Sequence, residues 1–296
     1  MRQATLIYNP QAGGAVARRL PRIAAALEAG GFVLELCPTS GPGDATALAR
    51  QTVAAGAEVA FALGGDGTIR EVAAGLLGSD VALGPLPAGT ANVLALSLGL
   101  PANALGAARG LVGGRPRQID VGLVNGEPFL MMASCGLDSE VMAHQSSWWK
   151  KRFGRAAFGV TMLRRWWTYG YPELEVRFAG RSVRGSLVAV CNVPYFGGRF
   201  RMAPAADLFD GRLDVVVFRG RGRRATLGFT LGVVFGGRHL RRRDVEAATV
   251  EAVEIVAPPE MRLQVDGDVL EVAPPWTVRI SGERLTVLLP AAPETG

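Results

Sequence analysis

Val59-Ala60-Phe61-Ala62-Leu63-Gly64-Gly65-Asp66-Gly67-Thr68 decides the fold of the first half of this chain. Five apolar residues in a row read as a strand buried on both faces, as strands of parallel sheets are. Three glycines then surround one carboxylate. Glycine lets the backbone approach a ligand closely and aim its N–H groups at it. The helix that follows, to about residue 77, adds the positive end of its dipole. In that position Asp66 suits a role holding Mg²⁺ beside a polyphosphate, directly or through water. Thr68 suits a helix cap or a bond to a phosphate oxygen, and Glu71 follows one helical turn on. The plainer alternative is a tight turn with Asp66 as a solvated cap.

Outward from this stretch, strand and helix patterns alternate. Residues 5–8, 32–37, 59–63 and 83–86 read as strands, and 15–29, 43–55 and 89–98 contain helices. The βαβα order predicts a parallel sheet with helices on both faces, and phosphate loops in such folds lie at the carboxyl ends of strands. Two further loops occupy that position. Asn9-Pro10-Gln11-Ala12-Gly13-Gly14 follows the first strand; alone it is as easily an ordinary turn. Pro87-Ala88-Gly89-Thr90-Ala91-Asn92 follows the fourth and offers a hydroxyl and an amide to a nucleotide or a metal-bound water.

Beyond about residue 120 the texture changes. Short β-branched runs at 129–133, 174–178, 186–192, 213–218, 249–256, 262–265, 277–280 and 284–289 are separated by turn residues, which predicts an antiparallel sandwich or barrel. The expected division is an α/β domain over 1–122 and an all-β domain over 123–290, whose last strand is free to return to the first. The second half adds acids in Asp207-Leu208-Phe209-Asp210-Gly211-Arg212-Leu213-Asp214, in Asp266-Gly267-Asp268 and at Asp120. Asp-Gly pairs are also ordinary hairpin turns.

The 296 residues suit two domains, and about half are hydrophobic, enough for real cores. A net charge of +6 suits an anionic partner. Cys37, Cys135 and Cys191 are far apart and only two histidines are present, which argues against a zinc site and fits a reducing cytoplasm. The first residues lack the apolar stretch of a signal peptide. No run reaches the ~18 apolar residues of a membrane span.

Taken as an ordered set, Asn9-Pro10…Gly13, Gly64-Gly65-Asp66-Gly67-Thr68…Glu71, Gly89-Thr90-Ala91-Asn92, Asp207…Asp210-Gly211 and Asp266-Gly267-Asp268 resembles the diacylglycerol kinase catalytic family, which includes soluble bacterial lipid kinases and sphingosine and ceramide kinases. The resemblance covers residues 4–290. It implies a nucleotide-binding α/β domain, a β-sandwich domain and an active site in the cleft between them. It further implies that Asn9, Pro10, Gln11, Ala12, Gly13, Thr39, Gly65, Asp66, Gly67, Thr68, Ile69, Arg70, Glu71, Thr90 and Asn92 contact ATP. Asp207, Asp210 and the backbone carbonyl of Arg212 would form a Mg²⁺ site of the second domain. Asp268 would accept the proton of a lipid hydroxyl, with Asp266 in support. Two departures stand out. Val93 replaces the second Asp of a common Gly-Thr-x-Asn-Asp, and Asp268 replaces the usual Glu of Asp-Gly-Glu.

A kinase acting on a lipid must reach a bilayer. Residues 146–171 hold Trp148, Trp149, Trp166 and Trp167, with Lys150, Lys151, Arg152, Arg155, Arg164 and Arg165 and no acid. Indoles favour the headgroup layer and cations favour anionic lipid, so this stretch is expected to touch the membrane. Residues 219–243 are a second acid-free stretch, with eight arginines. Both also read as helices or hairpins that pack their apolar side and expose their arginines. The expected partners are a lipid substrate and an anionic membrane surface reached transiently from the cytoplasm. A homodimer is compatible with the sequence, and no nucleic-acid module appears. The competing readings are a kinase for a soluble acceptor such as NAD, and an inert lipid- or nucleotide-binding module.

Overall fold

The structure is a computed structural model and describes residues 2–11, 16–144 and 155–291, of which 155–158 by backbone alone. Ala12, Gly13, Trp148, Trp149, Lys150, Lys151, Arg152 and the side chain of Arg155 lie outside it. The chain divides into two compact units: Met1–Asp120 with Gly282–Gly296, and Val121–Ser281. Among the described residues no helix is long and apolar enough to cross a membrane.

Unit 1 runs β1 (Arg2–Tyr8), α1 (Val16–Ala29), β2 (Phe32–Pro38), α2 (Asp44–Ala54), β3 (Val59–Gly64), α3 (Asp66–Leu76), β4 (Ala82–Pro87), α4 (Val93–Ser97), α5 (Ala104–Leu111) and β5 (Arg115–Ile119). The sheet order is β2-β1-β3-β4, then the strand Leu285–Leu289, then β5. The first four strands are parallel, and Leu285–Leu289 is parallel to β4 through Val287↔Leu83. Apolar runs fill β3 and β4, and every residue of both is buried, as strands covered on two faces require. Sequence patterning misses β5 (Arg-Pro-Arg-Gln-Ile), whose first four residues are exposed. It is an antiparallel edge strand held by Leu285–Leu289, where charge and proline are tolerated and block further pairing.

Unit 2 runs β6 (Gly122–Val124), β7 (Glu127–Phe129), β8 (Met132–Cys135), α6 (Leu137–Ala143), α7 (Arg155–Thr168), β9 (Leu174–Phe178), β10 (Arg181–Gly185), β11 (Leu187–Cys191), β12 (Tyr195–Phe196), β13 (Phe200–Arg201), β14 (Leu213–Phe218), α8 (Gly222–Val234), a 3₁₀ turn (Arg238–Arg241), β15 (Val245–Val250), β16 (Ala252–Val256), β17 (Leu263–Val265), β18 (Asp268–Leu270) and β19 (Trp276–Ile280); the strand Leu285–Leu289 of unit 1 is β20. Two antiparallel six-stranded sheets, β10-β9-β16-β19-β6-β7 and β15-β14-β11-β8-β17-β18, enclose one core. Alternation sets the inner face: Leu174, Val176 and Phe178 of β9 and Trp276 and Val278 of β19 are buried, with Arg177, Thr277 and Arg279 between them outside. Strand β11 is buried on both sides because α8 covers the outer face of its sheet.

The run 249–256, which reads as one strand, is two. Val250 ends β15 in one sheet and Val253 belongs to β16 in the other, and both reach the same core. Glu251 carries the chain across the corner.

Candidate functional site

In unit 1 the loops after β3 and β4 meet backbone to backbone. A Cβ on Gly89 would lie 2.6 Å from Gly65 Cα, so a side chain is excluded on the Gly89 side of the crossing. A Cβ on Gly64 would lie 2.5 Å from Thr68 Cβ, so Thr68 folds back over the end of β3. The Ala88 N–H donates to the Gly64 carbonyl at 2.7 Å, which ties the two loops together. Asn92 has φ 51° and braces its own loop, accepting from the Gly89 N–H at 2.9 Å and donating to the Gly89 carbonyl at 3.0 Å. Thr90 is exposed at the tip. Gly65 precedes the first turn of α3, whose leading N–H groups have no intrahelical acceptor.

Asp66 does not sit in open solvent. Burial raises its carboxyl pKa above the usual range, and the backbone amides of Leu94, Val93 and Asn92 at the start of α4 oppose that shift. Its Oδ1 is buried without a hydrogen-bond partner among the described residues. Glu71 is turned toward α2: its Oε2 accepts from the Gly43 N–H at 3.1 Å. Arg70 is half-buried on the same helix. Ile69 is a correction to the expected nucleotide contacts. Its side chain is wholly buried and its N–H donates to the Gly65 carbonyl at 3.1 Å, which makes it a core residue that seats α3.

The loops after β1 and β2 run alongside. The Asn9 N–H donates to Leu63 O at 3.1 Å, and the Thr39 N–H to Tyr8 O at 2.9 Å. Asn9 Oδ1 accepts from the Gln11 N–H at 2.8 Å, a side-chain turn that leaves Pro10 and Gln11 exposed. A pocket at the ends of β3 and β4 is lined by Leu63, Pro87, Ala88 and Arg19 of α1. Arg19 has no signal in the sequence, since it is one of three arginines on an amphipathic helix. Asp120 is buried and ion-paired with Arg284, so it belongs to the framework of unit 1.

In unit 2, Asp266 and Gly267 form the two-residue turn between β17 and β18, with φ 51° and 92°. Asp-Gly is the pair such a left-handed turn favours. The Asp266 carboxylate is buried and accepts three backbone N–H bonds, from Leu130 at 2.8 Å, Met131 at 2.9 Å and Met132 at 3.0 Å. It therefore fastens the hairpin to the segment entering β8. It is a positioning residue and not a catalytic one, because its oxygens are committed to the backbone. Asp268 is exposed at the start of β18, opposite Val265. Asp266→Ala strands three buried donors and leaves at φ 51° a residue that tolerates the left-handed region less well than Asp does. The expected loss is about 3 kcal/mol or more of stability, read as a lower urea midpoint.

A second brace was not legible in the sequence. Gly267 N–H donates to Gln264 Oε1 at 2.8 Å, Gln264 Nε2 donates to Ser134 Oγ, and Ser134 Oγ donates to Asp138. The paired positions Gln264↔Ser134 put this chain on the face of the sheet away from the sandwich core. All donors point one way, toward a buried carboxylate, which polarises each bond in turn. Burial raises the pKa of Asp138, against the Ser134 bond. The folded state therefore holds the proton more tightly than the unfolded one. The resulting stability is present at acidic pH and is lost as pH rises through the folded pKa. Measured by urea unfolding across a pH series, the advantage of the wild type over Asp138→Asn is expected to shrink as pH rises.

Asp207 and Asp210 are exposed and shape their own loop. Asp207 Oδ1 accepts from the Phe209 N–H at 3.1 Å, and Asp210 Oδ1 from the Arg212 N–H at 2.9 Å. Asp214 has a raised pKa, first from burial and then from the charge of Asp210. Among the described residues no group of three or more His, Cys, Asp or Glu side chains is placed to hold a metal ion.

Residues 3–124 match the model of the diacylglycerol kinase catalytic domain, and residues 131–289 match that of the YegS C-terminal NAD kinase beta sandwich-like domain. A YegS-like lipid kinase of Pseudomonas putida is 34% identical over 247 residues, covering 82% of this chain and 81% of the relative. The chain belongs to the diacylglycerol kinase catalytic family. As a member of that kinase family it is also 28% identical over 274 residues to the diacylglycerol kinase of Bacillus subtilis, with 90% of each chain covered. A solved structure assigned as a diacylglycerol kinase of Bacillus anthracis str. Sterne superimposes with a TM-score of 0.82 at 26% identity, over 100% of this family member and 97% of that chain.

Proposed function

We propose that the protein transfers the γ-phosphoryl group of ATP to the hydroxyl of a lipid. The observation that carries this reading is the crossing of Gly65 and Gly89, a floor of bare backbone beside the N-terminus of α3. Phosphates need such a floor, because N–H groups can reach them only where no Cβ intervenes. The residues fit a nucleotide and its Mg²⁺. A Cβ on Gly89 would fill the crossing, Asp66 keeps one buried oxygen without a partner among the described residues, and the candidate metal ligands are hard oxygens. When bound, Mg²⁺ neutralises charge on the phosphates as the phosphoryl group moves.

The chain's own residues divide the remaining work. Asn9, Pro10, Gln11, Thr39, Gly65, Gly67, Thr68, Thr90 and Asn92 line the nucleotide side of unit 1; Ala12, Gly13 and Arg70 are assigned there on the resemblance alone. Asp66 holds the loops together and faces the metal, and Glu71 anchors α3 to α2 at the same end. Asp207, Asp210 and the Arg212 carbonyl would hold a Mg²⁺ ion on unit 2 through hard oxygen ligands. Asp268 takes the proton of the acceptor hydroxyl as that oxygen bonds to phosphorus and ADP leaves. Asp266 holds Asp268 in place.

Diacylglycerol, the acceptor in the name of the Bacillus subtilis relative, is the first lipid to test. ADP release from Mg²⁺–ATP is expected to depend on added hydroxyl lipid. ADP release indifferent to lipid but stimulated by a soluble alcohol such as NAD would contradict the reading.

A further inference from the structure

Helix α8 is apolar on two sides. Its inner side buries Thr226, Phe229 and Val233 against the sheet, with Phe229 stacked on Phe218 at 4.6 Å. Its outer side exposes Leu227, Leu231 and Val234, at helical spacings of four and three, and runs on into Phe235, 62% exposed. Soluble surfaces do not repeat large apolar residues at that spacing without a partner. Helix α7 shows the same pattern: Val160, Leu163 and Trp167 are spaced three and four apart and are 66%, 65% and 59% exposed. The two helices touch. Arg223 lies 4.1 Å over the Trp167 ring, and Trp166 Nε1 donates to the Arg223 carbonyl at 3.0 Å. Trp166 is thus a structural residue that joins α7 to α8, while Trp167 faces out.

Charge identifies the occupant. Arg224 on α8 and Arg238, Arg241 and Arg243 in the segment that follows it are exposed and make no ion pair with a described residue. The nearby acids are already engaged, Glu173 with Arg184 and Arg221, and Asp244 with Arg242. An apolar ridge bordered by unpaired arginines matches an anionic bilayer, with leucines among the acyl chains and guanidinium groups at the phosphates. A self-association face would place those arginines against each other.

We propose that the outer stripe of α8, continued by Val160, Leu163 and Trp167 of α7, is the surface by which unit 2 lies on an anionic lipid bilayer. This rests on the lipid-kinase reading only for its purpose; vesicle binding itself needs neither ATP nor chemistry. The test is sedimentation of the full chain with phosphatidylcholine vesicles carrying or lacking phosphatidylglycerol, without nucleotide. Leu227→Ser/Leu231→Ser/Val234→Ser is expected to weaken binding to the anionic vesicles at least tenfold. Arg238→Glu/Arg241→Glu should do the same, and raised salt should weaken the wild type. All five positions are exposed, so circular dichroism and the unfolding midpoint should not move. Undiminished binding of both variants would overturn the proposal. So would a wild-type dimer in solution that the leucine variant abolishes, since the stripe would then be covered by a second copy. If the vesicles bind as expected and no lipid is phosphorylated, the surface stands and the kinase reading fails.

Discussion

Asp268→Asn is expected to lower lipid phosphorylation by about 100- to 10,000-fold, the usual contribution of a positioned general base. The fold should not register the change. Asp268 is exposed at the start of β18, and the hairpin that carries it is held by Asp266 and by the chain through Gln264, Ser134 and Asp138. The turnover number should fall while the Michaelis constant for ATP stays within a few-fold, because Asp268 is assigned to the acceptor and not to the nucleotide. Asp268→Glu adds one methylene and restores the residue common in the family, so it should retain most of the activity. A loss in the Asn variant matched by an equal loss of stability would mean that Asp268 is part of the fold alone.

Gly65 and Gly89 give the second large effect, and they should fail differently. A methyl group on Gly89 meets the Gly65 backbone at 2.6 Å, and backbone cannot step aside as a flexible side chain can. Gly89→Ala should therefore cost about 1–3 kcal/mol in overpacking and lower the melting temperature. A methyl group on Gly65 meets Gly89 Cα at 3.4 Å, a contact the loop can absorb, and its φ of −83° is open to alanine. Gly65→Ala should keep the fold and weaken Mg²⁺–ATP at least tenfold in calorimetry, because the added carbon occupies the floor assigned to phosphate. Nucleotide affinity unchanged in Gly65→Ala would remove the phosphates from that crossing.

What the sequence made legible follows from periodicity. The buried runs of β3 and β4, the alternation of β9 and β19 and the glycine loops between strand and helix all carry their structure locally. The family match supports the α/β plus sandwich architecture that those patterns imply. What was hidden depends on partners distant in sequence. The polar edge strand β5 is a strand only because β20 returns to pair with it. The break inside 249–256 is set by which sheet each half joins, and nothing in its β-branched sequence marks Glu251 as a corner. Asp266 reads as a candidate acid until three backbone amides some 135 residues away are seen to occupy it. Gln264, Ser134, Asp138 and Arg19 left no mark, since a single polar residue in a strand or an arginine on a helix has too many ordinary explanations.

The central claim is transfer of phosphate to a lipid hydroxyl. Its most direct measurement is incubation with γ-labelled ATP, Mg²⁺ and mixed vesicles containing diacylglycerol, followed by extraction into organic solvent. Label is expected in the organic phase with the wild-type chain and near background with Asp268→Asn. Label confined to a water-soluble product, or no transfer from a folded protein that binds ATP, would contradict it.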